Sequence, residues 1–302
     1  MICIDTHQHF WSYDRDKYDW MGPELAPIQR DYGPSDLAPE LAAGGVEGTV
    51  LVEARGHLDE TANLLSIAER TPFVFGVVGW LPLTEPGVDA HLERVAALPK
   101  LRGIRHWLGA GEDLHYMFGR ELRHGLGLLA RYGLSFDLML WPAQLGAVPR
   151  VVDQHPKQVF ILDHLAKPFI RQRQLEPWRS ALIELARRPN VYCKLSGLAT
   201  EAAWDSWTAE NLKPYLDTAL EAFTPERLMF GSDWPVCTLA TSYQRWIQTL
   251  RAWLGALSQG EQARILGGTA LEVYRLARAP DGNEARPAQP RATELGKNPL
   301  HG

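Results

Sequence analysis

The sequence predicts an α/β protein built as a single (β/α)8 barrel of the TIM type, and three observations predict it. Apolar, β-branched runs of strand length recur eight times in 302 residues, and segments long enough for a crossover helix separate them. Polar and ionisable residues collect where these runs end, which is the end of such a barrel that carries active sites. Eight units in this length favour a closed barrel, and no G-x-G-x-x-G follows the first run to support a dinucleotide-binding sheet.

The eight predicted strands share a high content of Val, Ile, Leu and Phe, and most end in a polar or tryptophan residue. They span residues 2–9, 48–54, 73–80, 101–107, 134–141, 158–164, 191–196 and 227–234. The predicted helices lie between and after them, at residues 39–43, 59–70, 88–98, 119–132, 142–155, 175–188, 212–223, 243–257 and 259–278. Residues 59–70 open with acids and close on an arginine, which suits the helix dipole.

Composition excludes several classes of protein. A net charge of −5 and a pI near 6.1 give no basic surface for nucleic acid, so we expect no nucleic-acid partner. No apolar run approaches the ~18 residues that a membrane span needs, and residues 2–5 leave no room for a secretory signal. The three cysteines, Cys3, Cys193 and Cys237, form no C-x-x-C, which indicates reduced thiols and a cytoplasmic location.

Residues 279–302 differ in composition from the rest of the chain. They are rich in Pro, Gly and charge and contain few apolar residues. We therefore predict one barrel domain over residues 1–278, followed by a disordered tail over 279–302.

Histidines and an aspartate at the strand ends indicate a metal or catalytic site. His7 and His9 lie at positions i and i+2 of the first strand, so their side chains share one face. His164 ends the sixth strand and Asp233 the eighth, so closure of the barrel would bring all four together. Three nitrogen or oxygen ligands with an open position are typical of catalytic zinc. Each residue alone has an ordinary structural interpretation, and Asp163 or Asp59 could be only the N-cap of the next helix.

Tryptophan is the second signal at these ends. Trp80, Trp107, Trp141 and Trp234 each end a predicted strand, and Trp11 follows the first. Each one could simply pack beneath a helix. Several on one rim would form an aromatic pocket for a compact polar ring, and sugars, sugar lactones and aromatic lactones all fit that description.

Six segments in order carry a resemblance to a known family. They are I-D-T-H-Q-H-F-W, L-V-E-A, R-G-I-R-H, D-H-L-A-K-P, K-L-S-G-L and F-G-S-D-W-P. With them the chain resembles the amidohydrolase superfamily, and more closely its amidohydrolase-related branch, over residues 1 to 277. It looks like the lactonase group of that branch, which includes hydrolases of L-fuconolactone, L-rhamnonolactone and 4-sulfomuconolactone.

The resemblance implies roles for the strand-end residues. His7 and His9 become a metal-binding pair, Asp233 the metal-site acid that takes a proton from water, and His164 a ligand or a group that polarises the carbonyl. Binuclear members have a lysine or glutamate on strand 4 and a histidine on strand 5, where this chain has Arg105 and Asp137. The resemblance therefore implies at most one divalent ion, preferably zinc, and metal-free activity is an open alternative.

The predicted reaction is the hydrolysis of a small lactone, most plausibly a sugar 1,4- or 1,5-lactone, to its hydroxy acid. Asp233 is the expected general base, and either a metal or Arg105 with His164 stabilises the carbonyl oxygen. The expected substrate contacts are Glu53, Trp80, His106, Trp107, Trp141, Lys167 and Lys194. For Lys194 a structural salt bridge is an equal alternative, and Glu53 could instead orient a ligand. Two rival functions stay open, a metal-dependent decarboxylase of the same branch and a non-catalytic barrel that binds a sugar acid; no oligomeric state is predicted.

Overall fold

Eight parallel strands form a single sheet in chain order in a computed structural model, which describes residues 1–106 and 115–277. Every strand pairs with the next one along the chain. The strands are β1 Ile4–Gln8, β2 Gly48–Val52, β3 Val74–Gly79, β4 Leu101–Arg105, β5 Ser135–Leu138, β6 Phe160–Leu162, β7 Val191–Leu195 and β8 Leu228–Phe230. The predicted strands are all present, and each is shorter than its apolar run in the sequence.

Contacts between the first and last strands close the sheet into a barrel. The hydroxyl of Thr6 donates to the carbonyl of Phe230 at 2.6 Å. Just beyond the strands, Gln8 and Trp234 form a parallel bridge, and the amide of His9 donates to the carbonyl of Trp234 at 2.8 Å. The predicted (β/α)8 barrel is therefore confirmed, and its closure places residues that follow β1 beside residues that follow β8.

Helices follow the strands around the outside of the barrel. Those of the described residues are α1 Pro34–Gly44, α2 Leu58–Arg70, α3 Val88–Val95, α4 Arg120–Tyr132, α5 Pro142–Leu145, α6 Val148–Asp153, α7 Trp178–Ala186, α8 Leu198–Glu201, α9 Ala209–Phe223, α10 Tyr243–Leu254, α11 Gln259–Ala263 and α12 Thr269–Val273. α1 begins earlier than predicted because Pro34 occupies the first helical turn, where a proline loses no hydrogen bond.

Two predicted helices are interrupted. The prediction of one helix over 142–155 was wrong, because Pro149 has no amide hydrogen to continue the ladder and the chain restarts as α6. Between α11 and α12 lies one π-helical turn, Arg264–Gly268. A Cβ at Gly267 would lie 2.7 Å from the backbone oxygen of Ile2, so glycine allows this turn to pack on the N-terminal strand. The predicted tail, 279–302, lies outside the described residues.

Apolar side chains fill the barrel at the end where the strands begin. One buried cluster joins five strands to the C-terminal helix, and its members are Ile4, Val50, Val52, Phe75, Val78, Ile161, Met229, Ala270, Tyr274 and Leu276. A larger cluster packs the outer face of the sheet against the helices. The apolar filling closes one end of the barrel, so polar residues inside it are confined to the opposite, carboxyl end.

Two further observations bear on the environment of the protein. All three cysteines lie in the described part of the chain, buried and without a disulfide. Among residues 1–106 and 115–277, no helix combines the length and the apolar character needed to cross a membrane.

Candidate active site

A cavity of about 770 Å³ opens at the carboxyl end of the barrel. Five largely buried side chains that follow the strands form its floor, namely His9, Glu53, Arg105, His164 and Asp233. Its wall includes four tryptophan rings, Trp20, Trp80, Trp141 and Trp204. The volume and the mixture of apolar wall and polar floor are those of a small-molecule site.

His7 and His9 project from the end of β1 into the same space. Their Nε2 atoms lie 3.2 Å apart. Nδ1 of His9 lies 2.8 Å from the carbonyl of Val52, so Nδ1 carries a proton and donates it to that oxygen. Burial holds the pKa of His7 well below its ordinary value, although nearby Asp163 acts in the opposite direction. His7 is therefore neutral at pH 7.

Asp233 joins these histidines from beyond β8. β8 ends at Phe230, before the predicted boundary at 234, and Asp233 follows it with a φ of 61°, in the left-handed region. Its Oδ1 lies 3.5 Å from Nε2 of His9 and 3.8 Å from Nε2 of both His7 and His164. Burial alone would raise the pKa of Asp233, but His164 and the other two imidazoles outweigh it, and the pKa falls below its usual range.

His164 reaches the same point from beyond β6. It begins a run of four left-handed residues that extends to Lys167, with φ between 52° and 57°. Its Nδ1 lies 2.8 Å from the hydroxyl of Ser196. At Gly197, which has a φ of 67°, a Cβ would lie 2.7 Å from that Nδ1, so glycine makes room for the ring. Burial lowers the pKa of His164 to about 4, so the imidazole is neutral.

Arg105, at the end of β4, is held by two buried acids. Its Nε donates to Glu53 at 2.6 Å, its Nη2 donates to the Glu53 carbonyl, and its Nη1 lies 3.2 Å from Asp163. Nη1 also lies 3.2 Å from Nε2 of His7. Burial acts to lower the pKa of Arg105, but Glu53 and Asp163 raise it further, so the guanidinium stays charged at the cavity floor.

A network of buried charges lies beneath the floor. Nζ of Lys194 lies 2.6 Å from Asp137 and 3.0 Å from Asp163, and the hydroxyl of Tyr274 donates to Asp137 at 2.6 Å. Oδ1 of Asp163 in turn lies 3.3 Å from Nδ1 of His7. Lys194 thus makes the contacts of a structural salt bridge and does not line the cavity.

Sequence reasoning missed two members of this network. The sequence allowed an N-cap role for Asp163, yet Leu162 holds that position in the turn after β6, and the Asp163 side chain contacts His7, Arg105 and Lys194. Its position at the end of β6 was the signal that could have identified it. Tyr274 gave no signal, because its approach to β5 depends on how the C-terminal helix packs.

The predicted substrate contacts divide into three groups. Trp80, Trp141, Lys167 and Glu53 line the cavity. His106 lies behind the wall, where its ring stacks on Trp80 with centroids 5.6 Å apart and its Nδ1 lies 2.9 Å from the carbonyl of Leu81. Trp107 lies outside the described residues.

Other cavity residues were not predicted. Trp20 belongs to the long segment between β1 and α1, and its indole nitrogen donates to the carbonyl of Ala54 at 2.9 Å. Trp204 donates in the same way to the carbonyl of Thr200 at 2.8 Å. Both rings therefore use their N–H groups within the protein and present apolar surface to the cavity.

The donor set fits one divalent metal ion. One ligand atom from each of His7, His164 and Asp233 lies within 4.8 Å of the others, and no second such group exists in the described ranges. Two ligand atoms bound to one tetrahedral zinc at ~2.0–2.1 Å lie about 3.3 Å apart. Oδ1 of Asp233 lies 3.8 Å from Nε2 of both His7 and His164, and Nε2 of His9, which is outside this group of three, lies 3.2 Å from Nε2 of His7. The partners of the outer nitrogens, Asp163, Val52 and Ser196, are those that commonly orient metal-bound histidines.

Comparison with known proteins agrees with this geometry. The family model described as amidohydrolase matches residues 4–276. L-fucono-1,5-lactonase from Burkholderia multivorans is 38% identical over 293 residues, which cover 93% of this chain and 98% of that protein. The family match extends over the whole barrel and all the site residues described above.

Solved structures of other proteins also resemble this chain. The crystal structure of an amidohydrolase from Burkholderia multivorans with bound zinc matches with a TM-score of 0.88 at 38% identity, over 92% of this chain and 100% of that one. The 5-carboxyvanillate decarboxylase from Sphingomonas paucimobilis matches with a TM-score of 0.62 at 16% identity, over 91% of this chain and 99% of that one. The likeness to the decarboxylase shows a shared fold alone.

Proposed function

Because this chain belongs to the amidohydrolase family, we propose that it is a hydrolase that opens a sugar lactone to its hydroxy acid. The substrate is a lactone of the L-fucono-1,5-lactone type, a six-membered ring ester that carries hydroxyl groups. The 38% identity to a lactonase of that name over nearly the full length of both chains supports this class.

The observation that carries the proposal is the position of Asp233. Its carboxylate lies within 4 Å of three imidazole nitrogens at the floor of a cavity of about 770 Å³. Since its pKa lies below the usual range, the group is ionised and able to accept a proton from water at neutral pH.

In the proposed mechanism, Asp233 first accepts a proton and later returns it. It accepts a proton from water as the water oxygen bonds to the lactone carbonyl carbon, and the carbonyl π electrons move onto oxygen. As this tetrahedral intermediate collapses, the bond from carbon to the ring oxygen breaks. The protonated Asp233 returns its proton to the departing ring oxygen, which leaves a hydroxyl at one end of the product and a carboxylic acid at the other.

Negative charge on the former carbonyl oxygen requires a positive partner. Arg105 is charged, buried and fixed by Glu53, so its guanidinium is already oriented before substrate arrives. His7, His164 and Asp233 would hold a divalent ion, with His9 at its edge, and zinc is the metal we propose. When bound, such an ion supplies a Lewis acid for the carbonyl and lowers the pKa of water.

The aromatic wall supports recognition of a sugar ring. Trp20 and Trp204 have their N–H groups occupied by backbone carbonyls, so their faces are available to the apolar C–H face of a sugar. Glu53 and Glu201 supply carboxylate oxygens that accept hydrogen bonds from hydroxyl groups. The cavity thus offers an apolar face together with acceptors.

A pH-stat assay of ring opening tests the proposal with a panel of 1,4- and 1,5-lactones of sugar acids. We expect hydrolysis of a 1,5-lactone, and we expect Asp233→Asn to lower kcat by about 1,000-fold while binding is retained, because the proton acceptor is lost. Asp217→Asn, which changes an exposed acid on α9, is the matched control and leaves turnover unchanged. No ring opening with any lactone, or full activity of Asp233→Asn, would contradict the proposal.

Two assays separate the rival functions that the sequence left open. A decarboxylase would release carbon dioxide from an aromatic or sugar carboxylic acid without consuming base by ring opening. A binding-only barrel would bind sugar acids in calorimetry and hydrolyse no lactone.

A further inference from the structure

The cations that line the cavity are already paired with acids. They are Lys17, Arg55, Arg105 and Lys167. Arg55 lies 2.6 Å from Asp59 and 2.9 Å from Glu60, and its side chain is 12% exposed. Arg105 is paired with Glu53 and Asp163 and is 9% exposed. Neither guanidinium is free to bind a carboxylate of a substrate without losing one of its own.

Lys167 also lines the cavity, and its charge too is neutralised by a paired acid. Its Nζ lies 2.9 Å from Oε1 of Glu201, and the two side chains are 19% and 25% exposed. Lys167 is held by the left-handed turn that follows β6, while Glu201 ends α8, where its carbonyl accepts from the amide of Arg171 at 3.0 Å. The ion pair therefore bridges two fixed backbone segments on the cavity wall.

The side chains that line the cavity include more acids than cations. Six carboxylates line the cavity against the four cations, for a net formal charge of −2 that one divalent ion held by Asp233 would cancel, and they are Asp16, Asp19, Glu53, Asp59, Glu201 and Asp233. Within the described part of the chain, Asp16 and Asp19 have no ion-pair partner. The sequence between 107 and 114 contains no Lys or Arg. Lys17, which is 58% exposed, pairs with Asp14 only at the surface, whereas Arg55, Arg105 and Lys167 are largely buried in their ion pairs. On the part of the wall that these three form, a substrate carboxylate would find no unpaired cation.

We propose that this cavity selects neutral, polyhydroxylated lactones and rejects lactones that bear a carboxylate, and that Glu201 is a specificity-determining residue because it neutralises Lys167. The inference rests on the proposed lactonase function. Hydroxyl groups donate to the wall carboxylates, whereas a carboxylate substituent would lose its hydration without an unpaired cation beside it.

Matched lactones test this selection. One is an aldonolactone with a terminal CH2OH, and the other is the aldarolactone with a carboxylate on the same carbon. We expect the wild type to prefer the neutral lactone in kcat/KM by on the order of 100-fold. Glu201→Gln frees the Lys167 charge and should lower that preference about tenfold, mainly through KM of the aldarolactone. Adding Lys167→Met to Glu201→Gln should restore the preference.

Glu184→Gln is the control, since it removes an exposed acid on α7 that pairs with arginines outside the cavity, and it should leave the preference unchanged. Equal turnover of the two lactones by the wild type would overturn the inference. A preference that Glu201→Gln does not alter would overturn the role of Glu201.

Binding of the corresponding lactams, which resist hydrolysis, separates this inference from the proposed function. Calorimetry should detect the neutral lactam and no comparable binding of its carboxylate counterpart. If this difference is found while no lactone is hydrolysed, the lactonase function is wrong and the charge selection stands. If lactones are hydrolysed while both lactams bind equally, the charge selection is wrong and the lactonase function stands.

Discussion

Asp163 supports His7 from beneath the cavity floor, with its Oδ1 3.3 Å from Nδ1 of the imidazole. The same Nδ1 lies 3.3 Å from Nζ of Lys194, and Nε2, on the other side of the ring, lies 3.2 Å from Nε2 of His9 and 3.8 Å from Asp233. The other oxygen of Asp163 lies 3.2 Å from Arg105. One buried acid thus orients a proposed metal ligand and the guanidinium beside it.

The first prediction concerns Asp163→Asn, which keeps the size of the side chain and removes its charge. We expect kcat of the folded enzyme to fall by about 10- to 100-fold, because His7 loses the buried carboxylate that lies beside its Nδ1. The free energy of unfolding should fall by about 3–5 kcal/mol, since Lys194 and Arg105 lose a buried counter-ion. Lactone turnover, zinc affinity and urea unfolding measure these effects.

Asp153→Asn is the control for that variant, because Asp153 is an exposed acid that pairs with Arg188 on the outer surface. It should alter neither turnover nor zinc affinity. A stable Asp163→Asn enzyme with full turnover and full zinc affinity would contradict the positioning role.

The second prediction concerns Gly197→Ala. The added Cβ would lie 2.7 Å from Nδ1 of His164, and the residue has a φ of 67°, which alanine adopts with strain. Displacement of the ring from Asp233 should lower kcat by about 100-fold while the barrel still folds. Kinetics and circular dichroism measure the two outcomes.

Gly127→Ala provides a matched comparison, because a Cβ at this α4 residue meets nothing within 4 Å and its φ is not positive. That variant should keep full activity and gain about 0.5–1 kcal/mol in the free energy of unfolding. Similar kinetics for the two glycine variants would argue against a role of Gly197 in placing His164.

The sequence predicts the barrel well because each strand can be recognised from a short stretch of neighbouring residues. Each strand is a short apolar run, and chain order alone makes β1 a neighbour of β8, so the meeting of His7, His9 and Asp233 could be expected. The site was less predictable where a residue's role depends on backbone direction. The sequence allowed an N-cap role for Asp163 because the left-handed turn that begins at His164 has no periodic pattern in the sequence.

The wall of the cavity was predicted least well. Trp20 comes from a segment without hydrophobic periodicity, so its path follows from tertiary contacts such as the bridge between Trp11 and Tyr32. Glu201 ends a helix of four residues, too short to recognise from its pattern. Tyr274 reaches Asp137 only because the C-terminal helix closes the barrel.

The third prediction concerns Tyr274→Phe, which removes the hydroxyl that donates to Asp137 at 2.6 Å. The free energy of unfolding should fall by about 1–3 kcal/mol, because a buried carboxylate loses a donor, while kcat changes little since Lys194 remains. Urea unfolding and lactone kinetics measure both quantities. Tyr132→Phe, at a residue that is 43% exposed, should change neither, and a large loss of kcat in Tyr274→Phe would mean that the network acts directly on catalysis.

The fourth prediction is that the chelator-treated protein binds one zinc ion per chain. Calorimetric titration should give a stoichiometry of one, and free zinc at 100 times its Kd should stabilise the fold by about 2.7 kcal/mol, seen as a rise in Tm. His164→Ala removes one member of the donor set and should weaken binding, whereas His124→Ala, on the exposed face of α4, should not.

Two zinc ions per chain would contradict the single site, because Arg105 stands at the end of β4 and Lys194 already neutralises Asp137. Full turnover of the zinc-free protein would assign stabilisation of the carbonyl oxygen to Arg105 and His164, the charged and neutral donors that remain on the cavity floor.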